Sequence, residues 1–245
     1  MVGVVVSRWA AWAPALEKRD DWERWRREPA PLGFLGTPDV GFLPPLLRRR
    51  CSRLSRLMLH VAYAACEPAE LSALPTVFAS RYGEMPLTVS LLEALARREP
   101  VTASAFTHSV HNTQVGLFSI AAKNRQMTSA LAGGSNTFAS AFIEALALMQ
   151  RAGGGGVLLV VGGEPLPPVF EKFQDEPAAA YALALVLAPS GDGPGLRLAP
   201  GRAEAARAAP AWPQAIEFLR WLLSEEPSLT LGAGRHAWTW TRREP

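Results

Sequence analysis

The stretch TSALAGGSNTFASAFIEALALMQRAGGGGVLLVVGG, residues 128–163, contains the pattern that decides the fold. A glycine pair and a small polar triplet lead into an apolar-striped helix that we predict over residues 136–151. Four glycines then end this helix, because glycine readily adopts positive φ. The continuous apolar run at 157–163 predicts a fully buried strand.

Buried strands and helices alternate along the rest of the chain. The strands are apolar over their whole length, which indicates a sheet covered on both faces. The pattern therefore predicts a three-layer α/β fold. The predicted strands lie at 2–7, 76–80, 157–163, 181–188 and 196–199, and the predicted helices at 46–66, 87–98, from 113 onwards, at 136–151 and at 213–224.

We expect a single domain over residues 1–245. It carries a Trp-rich arm or loop at 8–45, whose first part (8–28) predicts a broken helix or an excursion. Residues 100–112 are polar and predicted to be extended. A connection at 189–212 is rich in Gly, Pro and Ala and predicts little regular structure beyond one short strand.

The basic excess of the chain is mild, with a net charge of +3 and a pI of about 9.2. It comes from short runs such as 24–28 and 48–56, and it lacks the continuous basic stripe with stacking aromatics that nucleic-acid binding needs. We therefore expect no nucleic-acid partner. The eight Trp residues form two groups, one near each end of the sequence. They predict either core packing between the two ends or a partner surface.

Cys51 and Cys66 fall on one predicted helix. The rise of an α-helix would place them about 22 Å apart, which is too far for a disulfide. No apolar run is long enough to span a membrane, and no signal peptide is evident. We therefore expect a cytoplasmic protein without a membrane span.

The turn before the helix at 136–151 is where many enzymes place a nucleophile, because a helix N-terminus stabilises developing negative charge. This stretch has no Cys. Ser135 could act with His108 or His111 as base in an acyl hydrolase, or Ser135 and Asn136 could simply cap the helix. The two histidines could also bind a metal, but no third ligand is near. We expect neither a metal nor a cofactor.

Three stretches, in this order and spacing, resemble the N-terminal half of the β-ketoacyl synthases. They are TVFASRYGEMPLTVSLLEAL (76–95), VTASAFTHSVHNTQVGLFSIAA (101–122) and TSALAGGSNTFASAFIEAL (128–146). The short ketosynthase-like chain-length factors of aryl polyene clusters are similar in length and in their W-x-W tail. The resemblance implies half of a thiolase/ketosynthase-type fold, with a mixed sheet covered by helices on both faces.

The resemblance also implies that the chain is not catalytic by itself. Laid on the family's Thr-Ala-Cys turn, Leu131 falls at the nucleophile position, and a shift of one residue would place Ala130 or Ala132 there. None of these side chains can form a thioester. Gly133 and Gly134 complete the degenerate turn. The family's catalytic His and Lys residues lie in its C-terminal half. We expect this chain to end without that half.

A ketosynthase-like subunit without chemistry implies a partner. The resemblance implies a heterodimer with a catalytic β-ketoacyl synthase, which meets the acyl carrier protein and whose acyl tunnel this chain would wall, with Phe106 at the tunnel end. The arginine run at 48–56 keeps open the alternative of a stand-alone carrier-protein docking module. The residues implied at the partner interface are Phe106, His108, Val110, Asn112 and Gly116.

Overall fold

The computed structural model describes residues 3–191, 194–201, 210–233 and 236–243. Eight strands form one mixed sheet in the order β3-β2-β4-β5-β1-β6-β8-β7. Only β2 pairs in parallel with its neighbours β3 and β4, and the other described pairs are antiparallel. The strands are β1 (Val4–Trp12), β2 (Thr76–Ala79), β3 (Thr128–Leu131), β4 (Val157–Gly163), β5 (Tyr181–Pro189), β6 (Gly195–Gly201), β7 (Ser228–Ala233) and β8 (His236–Arg243).

Helices cover both faces of this sheet, so the predicted α/β fold is confirmed. Within the described ranges, no helix has both the length and the apolar character needed to cross a bilayer. The helices are α1 (Arg19–Arg27), α2 (Pro45–Arg50), α3 (Arg53–Ala65), α4 (Pro68–Ala73), α5 (Met85–Ala96), α6 (Ala103–Thr107), α7 (Thr113–Ala121), α8 (Thr137–Arg151) and α9 (Gln214–Leu222).

The adjacent strands β4 and β5 are buried on both faces. Leu159 and Val161 of β4 belong to the core that contains α8, whereas Leu158 and Val160 belong to the core that contains α3. Successive side chains of a strand point to opposite faces, so a strand in the middle layer must be apolar at every position. This explains the unbroken apolar runs in the sequence.

An aromatic cluster packs α8 against the C-terminal part of the chain. Phe138 and Phe142 of α8 meet Phe218 of α9 at ring-centroid distances of 4.9 and 5.7 Å. Trp240 of β8 completes the cluster, 5.7 Å from Phe138. The C-terminal part of the chain therefore buries α8 against the sheet.

The core interpretation of the Trp residues is confirmed. Trp12, Trp22, Trp25, Trp221 and Trp240 are buried, and Trp9, Trp212 and Trp238 pack against the core while partly exposed. The rings of Trp25 and Trp212 lie 5.1 Å apart, so the two Trp groups meet in space.

Several sequence-based expectations need correction. Residues 8–12 are not the start of a broken helix, because β1 continues to Trp12 in register with β5. The single helix predicted at 46–66 is two helices, because the Ser52 hydroxyl accepts from the backbone N–H of Ser55 and begins α3 anew. Cys51 and Cys66 thus end different helices, and both thiols are free. Strands β3, β7 and β8 were not predicted.

The burial of Trp240 in β8 predicts an effect of its replacement on the stability of the chain. Replacing Trp240 with Ala should cost about 3–5 kcal/mol of unfolding free energy, because the ring is fully buried among three aromatic neighbours. Trp240→Phe should cost much less, since the indole N–H has no hydrogen-bond partner. Urea denaturation measures both variants, with the half-buried Trp238→Ala on the same strand as control. A Trp240→Ala cost no larger than that of the control would contradict this role.

Candidate functional site

The turn between β3 and α8 is short. Ala130 and Leu131 lie on β3, opposite Phe78 and Ala79 of β2. Leu131 is the last strand residue, half-buried against the core, and α8 begins six positions later. Ala132, Gly133 and a 3₁₀ turn at Gly134–Asn136 connect the two elements. The assignment of Leu131 to the family's nucleophile position stays a prediction.

Thr137 secures the start of α8. Its hydroxyl accepts from the backbone N–H of Gly133 at 3.0 Å and donates to the Gly134 carbonyl at 2.7 Å. The expectation that Ser135 and Asn136 cap this helix was wrong. Asn136 is at the cap position but makes no capping bond, and its side-chain oxygen is buried without a hydrogen-bond partner.

A narrow cleft beside this turn is lined by charged groups and by the chain's own C-terminal region. The Arg81 guanidinium stands 3.8 Å from the Glu176 carboxylate, and Gln214 at the start of α9 lines the same cleft. Strand β7 packs beside the 134–136 turn. The site at the α8 N-terminus is therefore covered from within the chain. The lining residues are Arg81, Gly134, Ser135, Thr137, Phe138, Val161, Glu176, Tyr181, Gln214 and Ala215.

The nucleophiles of the chain are poorly placed for acyl transfer. Cys51 and Cys66 lie at the ends of α2 and α3 and not at the turn, and burial raises the pKa of both thiols, that of Cys66 to about 12. Such thiols are poor nucleophiles because the thiolate is the reactive form. In the part of the chain that the structure describes, no hydrogen bond joins Ser135 to a histidine, and no histidine lines the cleft. The geometry therefore gives the hydrolase hypothesis neither of the two histidine bases that it requires.

The five residues that follow β2 are fixed by side-chain contacts, and we call residues 80–84 the 80–84 junction. The Ser80 hydroxyl accepts from the Gly83 N–H at 2.9 Å, and Tyr82 donates to Asp175 at 2.8 Å. Arg81, 9% exposed, forms ion pairs with Asp175 and Glu176. Together these contacts hold the segment after β4 against the end of β2.

Gly83 has no freedom to carry a side chain. Its φ is +60°, and a Cβ there would lie 2.6 Å from Nδ1 of His111. His111 is half-buried in this position, next to Glu84. In the described residues no group of three or more His, Cys, Asp or Glu side chains is arranged to hold a metal ion.

Glu84 is a buried carboxylate at 3% exposure. It accepts hydrogen bonds from the hydroxyls of Ser52 at 2.6 Å and Ser55 at 3.2 Å, and from the side-chain amide of Gln114 at 2.6 Å. Burial raises its pKa, while the three donors act in the opposite direction. Sequence reasoning noted Glu84 only as a possible partner of Arg81 or as a helix cap, and its actual partners lie 29 or more positions away.

The residues predicted to meet a partner lie on two helices and the turn between them. Residues 103–107 form α6, so the expectation of an extended segment over 100–112 was wrong there. Phe106 is 66% exposed on α6, and Val110 is 44% exposed in the turn. The role of these residues at an interface stays a prediction. Of the remaining three, His108 is half-buried, and Asn112 and Gly116 are exposed.

The basic run at 48–56 is only partly available to a partner. Arg53 turns inward and donates to the Gly36 carbonyl at 2.9 Å, and Arg56 donates to a backbone oxygen of α2 at 3.0 Å. The exposed arginines of the run are Arg49 and Arg50. Through Arg53 the run therefore attaches the loop at 33–43 to α3, and through Arg56 it attaches α3 to α2.

Comparison with known proteins identifies related chains. A family model for the N-terminal domain of β-ketoacyl synthases matches residues 22–241. No curated protein sequence gives a significant match. Among solved structures, a chain of the complex between the ketosynthase ApeO and its chain length factor ApeC from Xenorhabdus doucetiae is 26% identical. That match covers 99% of this chain and 100% of the other, with a TM-score of 0.83.

Two further structures share the fold at lower identity. A chain of the ishigamide ketosynthase/chain length factor is 16% identical, with coverage of 82% and 67% and a TM-score of 0.65. A chain from the AntDE:AntF complex, a type II polyketide acyl-carrier protein with its ketosynthase, is 12% identical, with coverage of 83% and 70% and a TM-score of 0.64. The present chain thus spans about two thirds of these larger chains.

The partly buried carboxylates Glu164 and Glu176 predict a pH dependence of stability. Burial raises the pKa of each to about 7, from an ordinary value of 4.5. The folded state therefore holds protons that the unfolded state releases, so the free energy of unfolding should fall as pH rises from about 5 to about 7. Glu176→Gln should flatten part of this fall, with the exposed Glu171→Gln as control. An unchanged slope for Glu176→Gln in urea melts at several pH values would refute the assignment.

Proposed function

Since this chain belongs to the family of the β-ketoacyl synthase N-terminal domain, we propose that it is a non-catalytic chain-length factor. It pairs with an active β-ketoacyl synthase as a heterodimer and shapes that subunit's acyl tunnel in fatty-acid or polyketide-type biosynthesis, specifically of aryl polyenes. The acyl carrier protein meets the complex through the catalytic subunit. The observation that carries this proposal is an exposed apolar surface on α5, α6 and α7.

We call this surface the docking surface and define it by its most exposed apolar residues. Helix α5 is apolar around most of its circumference, yet none of its twelve residues, all described, is buried. A helix that is apolar on all sides is normally covered by protein. Large contiguous apolar patches mark interaction sites. The defining residues are Leu92, Leu95, Phe106, Val110 and Ile120, with exposures of 54, 60, 66, 44 and 62%.

The docking surface continues to the edge of the sheet. Helix α5 packs against α6, and α7 packs against β3. Strand β3 pairs with β2 on one side and is the last strand at that end of the described sheet. Its outer backbone groups are therefore available to hydrogen-bond a second chain. Apolar helices beside a free strand edge form a surface suited to a subunit of related architecture.

The degenerate turn supports a structural rather than a chemical role. The stretch 127–151 contains no cysteine, so the thioester chemistry of the family has no nucleophile there. The cleft beside the turn is narrow and is lined by the Arg81–Glu176 ion pair and by the start of α9, and β7 packs beside the turn. An acyl chain would therefore lie in the partner's tunnel and not in this subunit.

The comparisons favour the same pairing. The similar chain of full matching length comes from a complex between a ketosynthase and its chain length factor. The 26% identity over essentially the whole of both chains supports a role for this protein in a complex of the same kind. The product class follows from the sequence resemblance to aryl polyene chain-length factors.

Pairing is tested by the mass in solution of this chain, alone and co-expressed with the ketosynthase encoded beside it. We expect a stable one-to-one complex, and self-association of the isolated chain through its docking surface. Leu95→Arg should weaken the complex about tenfold or more, because a charge would enter an apolar contact. Leu35→Arg is the matched control, since Leu35 is 83% exposed in the loop after α1 and not on the docking surface. A chain that stays monomeric and does not bind the co-expressed ketosynthase would refute the pairing.

Tunnel shaping is tested separately on Phe106. Replacing it with Ala should lengthen the products of the complex by about one extension unit, since the lost ring volume leaves room for further methylenes, each worth about 1–3 kcal/mol in an apolar pocket. Product lengths are measured by mass spectrometry. Phe34→Ala is the matched control, as Phe34 is 53% exposed but lies off the docking surface. Equal product lengths for both variants would remove Phe106 from the tunnel end.

A further inference from the structure

The docking surface has few contacts of its own with the core. Helices α5 and α6, whose residues are all described, contribute no buried residue. Helix α7 is the exception, with Thr113, Gln114, Val115, Leu117 and Phe118 buried. The orientation of the surface therefore depends on how α7 and the start of α5 are attached to the sheet.

Both attachments include a hydrogen bond to Glu84, in addition to the apolar packing of α7 on α3 and β2. Its carboxylate accepts from Gln114 in α7 and from Ser52 and Ser55 at the start of α3. Its backbone carbonyl, at the N-terminal cap of α5, accepts from the N–H and the hydroxyl of Thr88, both at 2.9 Å. Helix α3 in turn packs directly on β1, β4 and β5. One residue thus connects both surface helices to the helix that is seated on the sheet.

The contact extends to the predicted partner residues. Thr113, next to Gln114, donates its hydroxyl to the carbonyl of His108 at 3.0 Å and its N–H to the carbonyl of Val110 at 3.2 Å. The turn between α6 and α7 is therefore tied to the same end of α7 that Glu84 holds. A rotation of α7 about this contact would move Phe106.

A buried carboxylate contributes little to stability by itself. Desolvation of a charged group is costly, and well-packed apolar residues often stabilise a core as well or better. What a carboxylate with three donors adds is direction, because each hydrogen bond fixes an angle as well as a distance. The geometry at Glu84 is therefore suited to orienting helices.

We propose that Glu84 is the positioning residue of the docking surface. Through Gln114 and Thr88 it fixes α7 and the start of α5 relative to α3, and so determines where Phe106 meets the partner. The effect on the partner rests on the proposed function, whereas the effect on the helices is a property of this chain alone.

The effect on the helices is measured by hydrogen exchange of the isolated chain. Gln114→Leu removes one hydrogen-bond donor to Glu84 and keeps a side chain of similar volume. The hydrogen bonds from Ser52 and Ser55 to Glu84 remain. We expect exchange in residues 85–122 to become about tenfold faster while α8 is unchanged, because only the local attachment weakens. Glu84→Gln keeps an acceptor for all three donors and should exchange as the wild type does. Uniform acceleration over the whole chain, or no change, would overturn the proposal.

The effect on the partner is measured as affinity and product length of the co-expressed complex. Gln114→Leu should weaken the complex about tenfold, the equivalent of one hydrogen bond to a charged group lost, and should broaden the product-length distribution. Leu148→Ala, buried in α8 on the opposite face of the sheet, is the control for lost stability. Equal effects of both variants on affinity and product length would overturn the positioning role.

The two measurements also separate this proposal from the proposed function. A wild-type chain that binds no ketosynthase would refute the pairing, and the exchange data would still decide whether Glu84 holds residues 85–122. A wild-type complex that is unaffected by Gln114→Leu would leave the pairing intact and would refute Glu84 as the residue that positions the docking surface.

Discussion

Burial of the adjacent strands β4 and β5 on both faces is the constraint on which the rest of the structure depends. Every residue of β4 is buried, as are the first seven of β5. A sheet with such a centre is stable only when a layer packs on each side, because one uncovered face would expose a row of branched side chains to water. Helix α3 supplies one layer and α8 the other.

The α8 layer illustrates how the constraint is met in a chain of this length. A second half of the fold packs on the first in full-length ketosynthases, as the sequence resemblance implies. Here α9 and the strand with Trp240 contact α8 through an aromatic cluster. The Trp residues that stand out in the composition therefore act mainly in core packing. The open apolar surface is found instead on α5, α6 and α7, beyond β2 and β3.

The sequence predicted those elements whose stability is local or fully buried. The apolar runs of β4 and β5 and the glycine-bounded helix α8 were assigned correctly. Strand β3 was missed because its four residues, TSAL, carry little β propensity and acquire strand geometry by pairing with β2. The extension of β1 was missed because its partner β5 is distant in sequence. Strands β7 and β8 pair with each other as a hairpin, and the alternating Trp and Thr residues of β8 are a strand signal in the sequence. The 80–84 junction escaped prediction because Arg81 and Glu84 find partners about 94 and 30 positions away.

The two ends of the sheet are unlike, and this difference limits assembly. Strand β3 ends the sheet with backbone groups open to a second chain, whereas β7 packs beside the chain's own turn at 134–136. A sheet with two equivalent open edges can add copies indefinitely and grow into a fibre. A sheet that is open at one end and folded inward at the other terminates after a single addition. For the proposed pairing through β3, this difference favours a pair of subunits over a growing assembly.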